Sequence, residues 1–167
     1  MFLDESRCNT DMTRRYAYSL GGSRAVDSAP LSKPKNTTIL SSIQFDGTLR
    51  YTTFSGGTTV ERFKRYLETD LLPHLNGNSV LIMDNMRSHH AKAVRNLLDS
   101  SGIRYIYLPP YSPDLNPIEK LWSKVKAFLR KFKARTLDAL PNAIQNAFHS
   151  VTISDCSGWF RFCGYAL

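Results

Sequence analysis

The sequence predicts an α/β domain in which a mixed β-sheet is flanked by helices. Three observations predict it. The first sixty residues hold β-branched and apolar runs closed by turn residues. The rest alternates short apolar runs with stretches of helical spacing. Two acids, Asp4 and Asp84, fall at the C-terminal ends of expected strands, the edge where open α/β sheets bind ligands.

The elements follow in order. Met1 to Asp4 reads as the end of a strand and Arg14 to Leu20 as a second, closed by Gly21-Gly22. Ser28 to Asn36, rich in Ser, Pro and Lys, reads as a loop. Thr37 to Phe45 and Leu49 to Phe54 flank Asp46-Gly47, a strong hairpin signal. Val60, Phe63, Tyr66, Leu67 and Leu71 set a helical period over Thr58 to Leu72, stopped by Pro73 and Asn76-Gly77-Asn78. Ser79 to Met83 and Ile103 to Leu108 are short apolar runs expected to be strands buried on both faces. Between them Ala91 to Leu98 is helical, with Ser101-Gly102 as its C-cap. Asn116 to Lys133 reads as a long helix and Leu137 to Val151 as another, with Pro141 limiting its start. Trp159, Phe160 and Phe162 read as packing residues.

The 167 residues, 42% of them hydrophobic and 22% charged, suit a single domain with one real core. The charge balance is skewed: 22 Lys+Arg against 14 Asp+Glu give +8. That excess points to a polyanionic partner, nucleic acid or an anionic membrane surface. No apolar stretch approaches the roughly 18 residues of a membrane span, and no secretory signal opens the chain. Cys8, Cys156 and Cys163 are odd in number and lack CxxC spacing, which fits a reducing cytoplasm better than disulfides or zinc.

The densest segment is Leu108-Pro-Pro-Tyr-Ser-Pro-Asp-Leu-Asn-Pro-Ile-Glu-Lys-Leu-Trp122. Its four prolines stiffen the loop, and Pro117 suits the first position of a helix. Glu119 then has two readings. It closes a capping box with Asn116, or the stiff loop delivers its carboxylate to a fixed point beside the sheet. Asp84, in Val80-Leu-Ile-Met-Asp-Asn85, is a turn or cap residue or a site acid; Asp4 is a fraying terminal acid or a site acid. Glu5 would face away from Asp4 if its strand continues. Asn85 and Asp114 read as turn formers. His89 is a helix-start residue bonded to backbone or a phosphate contact. From Lys120 to Arg135 seven basic residues occur without an acid, beside the apolar stripe Trp122, Val125, Phe128, Leu129 and Phe132. Lys120, Lys124, Lys126, Arg130 and Lys131 read as a solvated face or as phosphate contacts that add affinity without sequence preference.

Taken together, Phe2-Leu-Asp-Glu-Ser6, Leu81-Ile-Met-Asp-Asn85 with His89, the proline-rich motif through Glu119, and Cys163-Gly-Tyr165 resemble one family. It is the DDE transposases of the mariner superfamily, in particular the bacterial insertion-sequence branch. The 34 residues between Asp84 and Glu119 match a spacing used there.

The resemblance implies a ribonuclease-H-like fold in which Asp4, Asp84 and Glu119 meet and hold Mg²⁺ (or Mn²⁺), two ions with Asp4 shared. It implies cleavage of DNA at the ends of a mobile element and transfer to target DNA, a homo-oligomer on DNA, no membrane, and a bacterial cytoplasm at the nucleoid. Residues 1–167 then form one catalytic domain. The family's helix-turn-helix region is missing and the first strand is short before Asp4, as in a split gene product, a decayed copy or an excised fragment. An inactive or regulatory fragment that binds DNA or transposase, and a stand-alone nuclease, are the alternatives.

Overall fold

The computed structural model describes residues 1–28, 30–31 and 34–165. Five strands form one sheet in the order β3-β2-β1-β4-β5. They are β1 (Phe2–Asn9), β2 (Asn36–Ile43), β3 (Leu49–Ser55), β4 (Val80–Met83) and β5 (Arg104–Tyr107). The first three are antiparallel neighbours; β4 runs parallel to both β1 and β5. The sheet is therefore mixed, as expected.

Strand β1 is central and continues past Asp4 to Asn9, pairing along its whole length with β2. Its side chains alternate between two cores. Phe2 and Cys8 pack with Ile39 and Ile43 under the helices α3 (Ile118–Phe132), α4 (Ala139–His149) and α5 (Ile153–Phe162). Leu3 and Leu40 pack on the opposite face, against α1 (Val60–Tyr66) and α2 (Lys92–Ser101). Helices thus cover both sides of the sheet.

Most elements sit where the pattern puts them. Gly47 adopts a φ of 89° in the β2–β3 turn. A Cβ there would lie 2.7 Å from Ile153, so that position also admits the start of α5. Helix α1 is capped by Thr59 and passes into a π-helical turn, Leu67–Leu71, that keeps Leu67 and Leu71 in the core. Gly102 closes α2 in the left-handed conformation, as its residue type suggests.

Four expectations are corrected. Met1 to Asp4 is not the end of a strand: β1 runs on to Asn9, held by its pairing with β2, so Asp4 lies inside the strand. Arg14 to Leu20 is not a strand: β1 hydrogen-bonds directly to Asn36–Ile43, so the sheet has no place for it and Tyr16, Tyr18 and Leu20 are exposed. β5 is not buried on both faces; it is the edge strand, and Ile106 is half exposed. Of the expected packing residues, Phe160 is buried and Trp159 packs on the core but Phe162 is exposed, because all three lie on a helix, Ile153–Phe162, that starts at a capping box between Thr152 and Asp155 and turns Phe162 outward.

Candidate functional site

Parallel pairing of β1 with β4 ends at Leu3 opposite Met83. The next residue on each strand is an acid: Asp84 leaves the sheet at the C-terminal end of β4, while Asp4 stays inside β1, opposite Ser41 of β2, at the point where the β1–β4 pairing stops. Leu108 donates its N–H to the Met83 carbonyl at 2.8 Å and brings the proline-rich segment to the same edge. That segment turns through Pro113–Leu115 into α3, which carries Glu119 in its first turn. The outcome is one cleft of about 540 Å³ whose walls include Asp4, Asp84, Asn85, Asn116 and Glu119.

The two readings of Glu119 separate here. Helix α3 has no side-chain cap: the Glu119 N–H goes to the Asn116 carbonyl at 3.1 Å, and the Asn116 N–H to the Pro113 carbonyl at 3.2 Å. No capping box forms. The Asn116 side-chain oxygen is buried without a partner, and Glu119 is exposed to the cleft. Tyr165 ties the chain's end to this loop, its hydroxyl donating to the Leu115 carbonyl at 2.8 Å. At the mouth, Tyr111 is fully exposed with a left-handed φ of 58°.

Asp4 is 7% exposed. Its Oδ2 accepts the Trp122 indole N–H at 3.0 Å and its Oδ1 the Glu5 N–H at 2.7 Å. Burial, then repulsion from Asp84 and Glu119, outweighs these bonds and raises its pKa to about 7. Asp4 therefore senses the charge of both other acids. Among the described residues, no three His, Cys, Asp or Glu side chains converge closely enough to surround a single ion. Carboxylate oxygens are the donors that hard divalent cations prefer.

Asp84 is oriented from behind. His89 Nδ1 donates to the Asp84 backbone carbonyl at 3.3 Å and lies 2.8 Å from Asp84 Oδ1 as an ion pair, and Nε2 donates to Glu5 Oε2 at 3.1 Å. The imidazole is fully buried and stacks on Phe63 with ring centres 4.2 Å apart. Its burial opposes the charged form, but bonds to Asp84 and Glu5 raise its pKa to about 9. Burial likewise works against the Asp84 carboxylate, and the His89 bond and charge win, leaving its pKa below the usual value. Of the two readings of His89, the bond to backbone is met at the Asp84 carbonyl and the phosphate contact is corrected: the ring is buried between two carboxylates. Glu5 faces away from Asp4 as expected, and the structure adds its partner.

Sequence reasoning missed two supports, the Glu5–His89 pair and the Trp122–Asp4 bond. Only the alternation of β1 and the three-residue offset from Glu119 to Trp122 hinted at them. The basic face of α3 divides. Lys124 is matched to Asp155 at 2.5 Å and Lys120 sits over the Phe162 ring at 3.8 Å. Lys131 is exposed, while Lys126 and Arg130 line a separate cavity.

Residues 1–141 match the family model described as DDE superfamily endonuclease. The transposable element Tc1 transposase of Caenorhabditis elegans is 29% identical over 97 residues, 56% of this chain and 36% of that protein. The Mos1 transposase paired-end complex with left transposon end superposes with a TM-score of 0.80 at 19% identity, over 96% of this chain and 50% of that one. The mariner Mos1 paired-end complex with Mg superposes at 0.68 and 19% identity, over 98% and 50%. The chain spans half or less of these relatives' lengths, and the structural likeness shows that the fold is the shared ribonuclease-H-like one.

Proposed function

This chain belongs to the DDE superfamily endonuclease family, and from that premise we propose that it is the catalytic domain of a transposase. It cleaves DNA strands at the ends of a mobile element and joins them to target DNA. The observation that carries the proposal is the convergence of Asp4, Asp84 and Glu119, from three distant parts of the chain, on the walls of one cleft.

We assign these three residues to holding two Mg²⁺ (or Mn²⁺) ions, with Asp4 shared. When bound, such a pair activates the attacking oxygen and stabilises the leaving one in displacement at phosphorus. The chain's own residues do the rest. Trp122 and the Glu5 N–H fix both oxygens of Asp4. His89 fixes Asp84, and the proline-rich loop fixes the helix start that presents Glu119. Water is the first nucleophile and a freed 3′-hydroxyl the second, so no covalent enzyme intermediate is required.

The partners we propose are the element's ends and target DNA, held by a homo-oligomer, with sequence recognition supplied by a helix-turn-helix part outside residues 1–167. The net charge of +8 supports a DNA partner. Among the described residues no helix is long and apolar enough to cross a membrane. We propose a bacterial cytoplasmic site of action at the nucleoid; the free, buried Cys8, Cys156 and Cys163 support its reducing character. Nicking of supercoiled plasmid in Mn²⁺ tests the proposal. Asp84→Ala should abolish nicking and leave nonspecific DNA binding intact; nicking that survives the substitution defeats the assignment.

A further inference from the structure

Helix α3 carries Glu119, Trp122, Lys126 and Arg130 at offsets of three, seven and eleven, so all four project from one side. One end of that side meets Asp4. The other meets the last residues of β1 and the segment after it, where a cavity of about 480 Å³ opens. Arg7, Arg15, Lys126 and Arg130 line it, and Asp11 is the one acid in its described wall.

Among the described residues none of these four cations forms a salt bridge, although Lys124 and Lys133 of the same helical stretch are matched to Asp155 and Asp27. Burial lowers the pKa of Arg130, and nearby Arg15 lowers it further. Four like charges are held together with one acid, Asp11, in the same wall, and it forms no salt bridge with any of them among the described residues. The wall is anchored as well: the Arg135 guanidinium donates to the Thr10 and Met12 carbonyls at 3.3 and 3.1 Å. Arg14, Arg15, Tyr16 and Arg130 extend the basic surface outward.

We propose that this cavity is a second phosphate site, which takes a phosphodiester of the same DNA strand whose reacting bond lies in the carboxylate cleft. The proposal rests on the function given above and adds to it a place where the strand is held. The spacing agrees. Four strand residues from Asp4 to Cys8 span about 13 Å and seven helical residues from Glu119 to Lys126 about 10 Å. A duplex strand rises about 3.4 Å per nucleotide, so the site would hold a phosphate about three or four nucleotides from the reacting one. Such a grip fixes register and carries no sequence information.

Fluorescence anisotropy of a labelled duplex with the full chain, in EDTA across a salt series, tests this. The double variant Arg15→Ala/Arg130→Ala should bind about tenfold or more weakly, with a log–log salt slope shallower by about 1 to 2. The charge-matched double Arg95→Ala/Arg104→Ala, on α2 and β5, should stay within about twofold of wild type. Equal weakening in both doubles, or none in the first, overturns the site. Should Arg130→Ala unfold the chain by circular dichroism, the exposed Arg15→Ala decides alone, and Arg15→Lys should restore binding. Inorganic phosphate at constant ionic strength should not displace the duplex; displacement that the Arg15→Ala/Arg130→Ala protein lacks would mark a free-phosphate site and overturn the DNA assignment. Binding is read without divalent cation, so the two readings separate. Plasmid nicking by wild type with undiminished binding by the cavity variant sinks this inference alone. Cavity-dependent binding without any nicking sinks the catalytic reading alone.

Discussion

Glu119 shows how far a single residue can be read from sequence. Asn-x-x-Glu at a helix start suits a capping box, and the residue types alone cannot say otherwise. The backbone decides: the Asn116 and Glu119 amides are both bonded to carbonyls, so the carboxylate has no capping duty. Glu119→Gln should therefore change unfolding free energy in urea by no more than about 0.5 kcal/mol. Plasmid nicking should fall at least about a hundredfold, because a neutral amide is a poorer cation ligand. A large stability loss would restore the capping reading. His89 lies one step further back. His89→Gln keeps bulk but cannot bridge Glu5 and Asp84 with the same geometry, so it should weaken cation affinity about 10- to 100-fold while the fold persists. Residue type left each of the three acids with a second reading, and the resemblance of their flanking motifs to one family is what singled them out. Their supports were not legible: Glu5 and His89 lie 84 positions apart, and Trp122 and Asp4 118 apart, joined only by the sheet and by α3 packed on it.

At the scale of elements, periodicity found what has a repeat and missed what depends on neighbours. The β2–β3 hairpin, α2 and α3 carry their own signals in Asp46-Gly47, Gly102 and the stripe from Leu121 to Leu129. Arg14 to Leu20 has strand-like residues, yet β1 takes its partner from Asn36–Ile43 and leaves the segment outside. Ile103 to Leu108 is apolar enough for a central strand, but the order β3-β2-β1-β4-β5 makes it an edge. Helix α5 escaped notice because Gly158 and two serines interrupt its pattern, while its start is fixed by reciprocal bonds between Thr152 and Asp155. Phe160 of α5 meets Phe2 edge-on at 5.4 Å, which links that helix to the strand bearing Asp4. Thr152→Ala removes one half of the cap. The urea midpoint should drop by the equivalent of about 1 kcal/mol with an unchanged slope. A changed slope would mean that α5 melts separately from the sheet.

For the whole molecule, the cleft is a cost to stability that a cation would relieve. Asp4 rises from 3.8 in a free chain to about 7 in the fold, so between those values the folded state holds a proton that the unfolded state has released. Raising the pH through that window favours unfolding. His89 acts in the same direction higher up: its contribution is complete below 6.5 and is lost as pH rises through about 9. Asp84, with its pKa below 3.8, contributes stability that is lost only at still lower pH. The melting temperature of the cation-free chain should then fall steadily from about pH 5 to about pH 9. Asp4→Asn should flatten the part below about pH 7 and leave the part due to His89. At a hundred times its dissociation constant, Mg²⁺ or Mn²⁺ adds about 2.7 kcal/mol, or roughly 5 to 10 °C for a chain of this size. Asp4→Asn should lose most of that shift, since the proposed assignment has Asp4 serving both ions. An undiminished shift in Asp4→Asn would place the cation elsewhere on the molecule, and the cleft would then owe its three acids to something other than metal binding.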